Sequence, residues 1–175
     1  RYAKHSDTLD RSMEFGGTGL ASISMDERAT LCNMATECSA KTGICDPDQL
    51  TIDWLLKRRN DLNEEEIRNA FVFPDEDAVY HGGIHTIDLD KIRPMVAHPG
   101  DPDKGIPSDP TNGAYIDDIG SVPIDIAYAG SCTAGKDDDF SYYAKVAKAA
   151  KDAGLKVADG VECYIQFGSG SVKQL

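Results

Sequence analysis

The sequence predicts an α/β protein built of parallel-sheet βαβ lobes with flanking helices. Three observations carry that expectation. The apolar, strand-length run Val122 to Ala129 leads through a small-residue loop into a capped helix, and β-like runs follow that helix. A strand, helix, strand order closes most simply as a right-handed unit of a parallel sheet. Ahead of it a capping box opens an amphipathic helix, and a proline- and glycine-rich segment separates the two regions.

The first 24 residues are polar, carry the loop signal Gly16-Gly17-Thr18-Gly19, and read as a lead-in segment without regular structure. In Ser24-Met25-Asp26-Glu27 the Ser24 hydroxyl can take the backbone N–H of Glu27 while the Glu27 carboxylate reaches back, which predicts a helix from about Met25 to Ala40. Leu31, Met34, Ala35 and Cys38 form its core-facing stripe. Asp26, Thr30, Asn33 and Glu37 line the opposite side, either as a solvated face or as the wall of a cleft. Cys45-Asp46-Pro47-Asp48 is a turn whose last residue can cap a second helix, Gln49 to about Arg58, and Asn63-Glu64-Glu65-Glu66 starts a third that ends before Pro74.

From there to residue 122 the chain reads as an irregular connection between two lobes, with short β-like runs at Ile84 to Leu89 and Ile92 to Ala97. Pro99-Gly100-Asp101-Pro102-Asp103 and Ile106-Pro107-Ser108-Asp109-Pro110 dominate its middle. After Val122 to Ala129, Asp137-Asp138-Asp139 can cap a helix from about Phe140 to Ala153 that Gly154 closes. Leu155 to Ala158 is the expected second strand, with Cys163 to Phe167 part of a third. Lys145, Lys148 and Lys151 share the helix's solvated outer face.

The 175 residues, 41% hydrophobic and 27% charged, describe a globular chain. A compact chain of this size buries about 70% of its unfolded surface. Thirty acidic against eighteen basic side chains give a net charge of −12, which disfavours nucleic acid and anionic membranes as partners. No apolar run reaches the roughly 20 residues of a membrane-spanning helix, and Arg1-Tyr2-Ala3-Lys4-His5 lacks a signal peptide's apolar stretch, so a cytoplasmic location is expected. Cys32, Cys38, Cys45, Cys132 and Cys163 are odd in number and unclustered, and none forms a Cys-x-x-Cys pair.

Gly130-Ser131-Cys132-Thr133 stands out, lying between a strand and a helix start where parallel sheets place ligand sites and where amides and the helix dipole favour a thiolate. On the residues alone Cys132 is a nucleophile, a metal-cluster ligand or an inert small residue of a tight turn. A nucleophile needs a base. The histidines offer little: His81 and His85 flank Gly82-Gly83, His98 lies in the proline-rich loop, and His5 is near the terminus.

Leu31-Cys32-Asn33-Met34-Ala35-Thr36-Glu37, followed by Ala40-Lys41-Thr42-Gly43-Ile44, resembles the helix motif of the aconitase and isopropylmalate dehydratase family. Gly130-Ser131-Cys132-Thr133 resembles its first cluster-cysteine motif, and Gly168-Ser169 followed by Val172 its Pro-Gly-Ser-x-x-Val segment. Ile92 to Ala97 and the loop Pro99 to Pro107 match the linker style of isopropylmalate dehydratase large subunits. The resemblance runs collinearly through nearly the whole chain. It implies an aconitase-like α/β/α fold and a reversible hydro-lyase acting on hydroxy di- or tricarboxylic acids at a 4Fe-4S cluster, held by three cysteines with one iron open as a Lewis acid. It further implies that Cys132 is the first cluster ligand, that Asn33 hydrogen-bonds near the cluster, and that Glu37 meets the hydroxyl or water at the open iron.

The sequence also departs from the family pattern. The chain runs 43 residues past Cys132 (175 − 132) without the family's Cys-x-x-Cys pair, and the Asp-Ser-His motif, the substrate-binding arginines and the catalytic serine are missing. Ala134 stands where many members carry Asn. The expected organisation is a fragment: residues 1–122 as a helix-rich lobe with the Asn33/Glu37 motif and the proline-rich connection, and residues 123–175 as the truncated opening βαβ of a cluster-binding domain. Such a fragment is expected to hold no complete cluster and to turn over no substrate alone. Its partners would be the remaining domains or a small swivelling subunit. A cluster-less interaction or regulatory module of the same fold, and a thiol enzyme acting through Cys132, are the alternatives of other classes.

Overall fold

The computed structural model describes residues 8–106 and 112–174. Its sheets are short and its fold is α/β. Strand β1 (Ser12–Phe15) pairs in parallel with β2 (Thr42–Cys45), and helix α1 (Met25–Met34) makes the crossover. A second parallel pair joins β5 (Ile126–Gly130) to β6 (Glu162–Gln166), crossed by the single turn α4 (Ser131–Ala134) and the helix α5 (Asp137–Asp152). Two βαβ units therefore exist where the sequence predicted one in detail. The first was hidden because four-residue strands carry no readable period, and pairing between residues some thirty positions apart creates β1 out of a segment expected to be irregular.

The predicted capping box is present: the Glu27 N–H donates to Ser24 Oγ at 3.2 Å and the Ser24 N–H to Glu27 Oε2 at 2.8 Å. α-Helical bonding stops at Met34, short of Ala40. The next residues tighten to three-residue turns, and the segment ends in a Schellman closure, with Ser39 left-handed at φ 65°, its N–H on Thr36 O at 2.9 Å and the Ala40 N–H on Ala35 O at 3.0 Å. Ala35 and Ala40, joined by that last bond, are both buried. Of the predicted stripe Ala35 alone is buried, while Met34 is exposed.

Helix α2 (Gln49–Leu56) and helix α3 (Glu64–Asn69) start where predicted, capped by Asp48 and Asn63, and end two to four residues early. Arg28 is the buried polar centre of this region. Its guanidinium donates to Asp48 Oδ1 and Oδ2 at 2.9 and 2.6 Å, to Leu20 O at 2.7 Å and to Ile23 O at 3.2 Å. It thereby ties the turn before α1 to the cap of α2, beside buried Leu20, Ile52 and Ile67.

Residues 74–122 remain largely irregular. Ile84 to Leu89 forms no strand, and Ile92 to Ala97 shrinks to β3 (Met95–Ala97), since Pro94 interrupts it. β3 pairs antiparallel with β4 (Gly113–Tyr115). The segment packs back on the first unit through Tyr80 Oη, which donates to Glu14 Oε2 at 2.8 Å. The Pro107 to Pro110 part of the predicted loop lies outside the described residues, as does His5.

In the second unit Pro123 delays the strand to Ile126, and α5 begins three residues early, at Asp137. The expected strand Leu155 to Ala158 is absent. Leu155 and Val157 are exposed with no strand beside them, and the partner of β5 is Glu162–Gln166, in a register that sets Tyr128 opposite Tyr164.

The chain exposes 13695 Å². A compact monomer of its mass exposes about 8,300 Å² and its unfolded chain about 27,000 Å², so it buries about half of its surface, short of the expected 70%. Large apolar side chains such as Val72, Ile84 and Val146 remain exposed.

Candidate functional site

The face of α1 that carries Asp26, Thr30 and Asn33 is the wall of an interface with the second unit. Asp26 Oδ2 accepts the Asp138 N–H at 3.2 Å and so caps α5 from another element. Ser24 Oγ donates to Asp138 Oδ2 at 2.5 Å, and Thr30 Oγ1 donates to Thr133 O at 3.0 Å. Thr133 Oγ1 completes the set by donating to Asn33 Oδ1 at 2.7 Å. Asn33 is thus joined to the residue that follows Cys132. Glu37 is not: it is exposed, and no side-chain hydrogen bond links it to Asn33 or Cys132. A three-residue turn sweeps four positions through about 120° where an α-helix leaves about 40°, so the tightening after Met34 swings Glu37 away from the Asn33 line.

The cysteine loop is shaped by close backbone approach. Gly130 has φ 117°, and a Cβ there would lie 2.0 Å from Gln166 O. Ser131 then takes φ 73°, a left-handed conformation that costs a non-glycine residue about 1–2 kcal/mol. Gly135 and Gly168 touch through their backbones, the Gly168 N–H donating to Gly135 O at 2.8 Å. The Gly168-Ser169 segment is thereby set against the cysteine loop. Phe140 and Phe167 stack at 4.7 Å on the same side.

Cys132 is exposed, and its thiol is held below the ordinary value, by the Thr133 hydroxyl first and the Asn33 side chain next, with slight burial opposing them. The Ser131 side chain and the Cys132 N–H, in the first turn of α4, act in the same direction. Thr133 is the residue that sequence reasoning missed, although its place beside Cys132 was a signal. Cys163 pairs with Ala127, three rungs before Gly130, on a different level of the sheet. His81, His85 and His98 are exposed in the connecting segment, and among the described residues no group of three His, Cys, Asp or Glu side chains could hold a metal. Within the described residues, then, Cys132 can serve as one thiolate ligand at a strand's carboxyl end.

Parallel βαβ units, with a thiol two residues past a strand-end glycine, define an α/β protein, a class that places ligand sites at the carboxyl ends of its strands. The model of the aconitase family (aconitate hydratase) matches residues 2–175, and the chain belongs to that family. It is 39% identical over 158 residues, 90% of its length, to the 3-isopropylmalate dehydratase large subunit of Acetivibrio thermocellus, of which it covers 33%. The large subunit of Clostridioides difficile is 37% identical over 94% of this chain and 35% of its own. The chloroplastic large subunit of Arabidopsis thaliana is 37% identical over 80% of this chain and 25% of its own. The chain spans about a third of the length of the first two relatives.

Proposed function

We propose that the chain is part of an iron–sulfur hydro-lyase of the isopropylmalate dehydratase type, which reversibly dehydrates a hydroxy di- or tricarboxylic acid. The observation that carries this reading is the assembly of Asn33, Thr133 and Cys132 across two βαβ units. A 4Fe-4S cluster, when bound, supplies a Lewis-acidic iron for the substrate's hydroxyl and carboxylate. Cys132 fits as one of its ligands, since the thiol is exposed and is held below its ordinary value by the neighbouring Thr133 and Asn33 side chains. Asn33, fixed through Thr133, orients its amide toward the same loop. Glu37, exposed one turn further along, is the group assigned to the substrate hydroxyl.

We place the domain division between residues 122 and 123, where the irregular segment meets the second unit. The other cluster ligands and the substrate-reading groups are assigned to parts of the subunit outside this chain, together with a small swivelling subunit or a fourth domain as partner. The open apolar faces of β5 and β6 support that assignment, because Ile126, Tyr128, Tyr164 and Ile165 are each more than half exposed. The cytoplasm is the proposed compartment; five free cysteines suit a reducing one.

Anaerobic reconstitution of the complete subunit with iron and sulfide tests the reading. Cys132→Ser should lose the visible absorbance of thiolate-ligated iron, and full retention would remove Cys132 as a ligand. Glu37→Gln should keep that absorbance and lose turnover of isopropylmalate; unchanged turnover would remove Glu37 from the reaction.

A further inference from the structure

We propose that Cys32 and Cys45 form a reversible dithiol–disulfide site, oxidised by small-molecule disulfides of the glutathione class. The two sulfurs lie 3.7 Å apart although thirteen positions separate the residues, one on α1 and the other at the end of β2. Packing fixes this approach. Gly43 and Cys45 alternate onto the same face of β2, and β2 runs so near α1 that a Cβ on Gly43 would lie 2.7 Å from the Cys32 Cα. Cys45 Sγ also lies 3.9 Å from Arg28 O, which directs it toward the helix. Both cysteines are free and half-buried. A disulfide needs the sulfurs about 2.0 Å apart, so side-chain rotation with a small shift of β2 closes the gap.

Burial first, and the neighbouring Cys32 next, push the Cys45 thiol up to about 12, so at neutral pH Cys45 stays protonated and the opening attack falls to Cys32. The Cys32 thiolate attacks one sulfur of glutathione disulfide, expels one glutathione thiolate and carries the other half as a mixed disulfide. Cys45 then loses its proton, attacks the Cys32 sulfur and expels the second glutathione. One protein S–S bond forms, one glutathione S–S bond breaks, and two electrons and the two thiol protons leave on two glutathione molecules. Because thiolate at Cys45 is disfavoured, the closing attack is the slow step. Once formed, it ties α1 to β2 one residue from Asn33. This site is independent of the cluster chemistry proposed above.

The test incubates the complete subunit carrying this chain with excess oxidised glutathione, blocks the remaining thiols with maleimide, and maps peptides by mass before and after dithiothreitol. The expected product is a peptide containing Cys32 joined to one containing Cys45, lighter by two hydrogen atoms than the separate pair and released by dithiothreitol. Cys45→Ser should instead accumulate glutathione on Cys32, with circular dichroism confirming the unchanged fold. In the unsubstituted protein, glutathione on Cys32 without the link, both thiols still open to maleimide, or linkage of either to another cysteine would each overturn the proposal.

Discussion

The two βαβ units share a topology and differ in what they bury. The first closes over Leu20, Ala35, Ala40, Ile52 and Ile67, with Arg28 satisfied by four hydrogen bonds at its centre. The second has a sheet of two strands whose side chains are mostly exposed, and α5 buries none of its residues. Two-stranded sheets are marginal in water without a covering layer. The first unit thus carries its own interior, whereas the second holds its shape through backbone approach among glycines and through hydrogen bonds to α1.

Removing the centre of the first unit should break that contrast most strongly. Arg28→Ala is expected to cost about 2–4 kcal/mol, because it leaves the Leu20 and Ile23 carbonyls without their donor and Asp48 with only its bonds to α2. Urea unfolding followed by the fluorescence of Trp54, the one tryptophan and a residue of α2, measures it; a cost under about 1 kcal/mol would show that Arg28 organises nothing. Arg28→Lys should recover little, since lysine lacks the planar fork. The same pair sets an acid limit. Asp48 is held below the ordinary carboxylate value, by the Arg28 guanidinium first and against the effect of burial. A depressed folded value means stability that is complete above the unfolded value and is lost as pH falls through the folded one, so the Trp54 midpoint should drop as pH goes below about 4. In Asp48→Asn that acid-induced drop should shrink.

Gly130→Ala attacks the second unit by its own logic. The added Cβ meets Gln166 O at 2.0 Å on a backbone with φ 117°, an overpacking and strain cost of about 1–3 kcal/mol. Hydrogen exchange should quicken at the β6 amides while the Trp54 transition stays in place. A shift of both together would mean that the units unfold as one.

These differences explain what could be read from the sequence. Caps were legible because they are local: Ser24 with Glu27, Asp48 with Thr51 and Asn63 with Glu66 each span three residues. The cysteine loop was legible for the same reason. Strand β1 was not, because its partner lies across α1, and Leu155 to Ala158 was misread because nothing local says which apolar run finds a strand beside it. The burial of Arg28 has no local signal, because Leu20, Ile23 and Asp48 converge on it only in the folded chain. At the site, the alignment of Asp26, Thr30 and Asn33 on one face followed from helix period, and only tertiary packing could turn that face into an interface. Glu37 left the alignment when the helix tightened.

Between the units, Asp26→Ala removes the cap that α1 supplies to α5 and should cost about 1 kcal/mol, read as faster exchange of the Asp138 and Asp139 amides. If exchange there is unchanged, the second unit caps itself.

The smallest effect discriminates best. Thr133→Val keeps the shape of the side chain and deletes the hydroxyl that donates to Asn33 and lies beside the Cys132 sulfur. The Thr133 side chain is the leading influence that lowers the Cys132 thiol, so deleting its hydroxyl moves that thiol up toward its ordinary value. Iodoacetamide alkylation of Cys132 in the apoprotein should then slow roughly two- to fivefold at pH 7, with its pH profile displaced upward. Thr133→Ser should restore the rate, and Asn33→Ala should slow it in the same direction. Glu37→Gln, altering a side chain hydrogen-bonded to neither Asn33 nor Cys132, should leave it alone. Faster alkylation in Glu37→Gln would place that carboxylate beside the thiol, where its charge disfavours the thiolate, and restore the helical alignment that the tightened turn removes; no slowing by Thr133→Val would leave the two units touching at this point without acting on the cysteine.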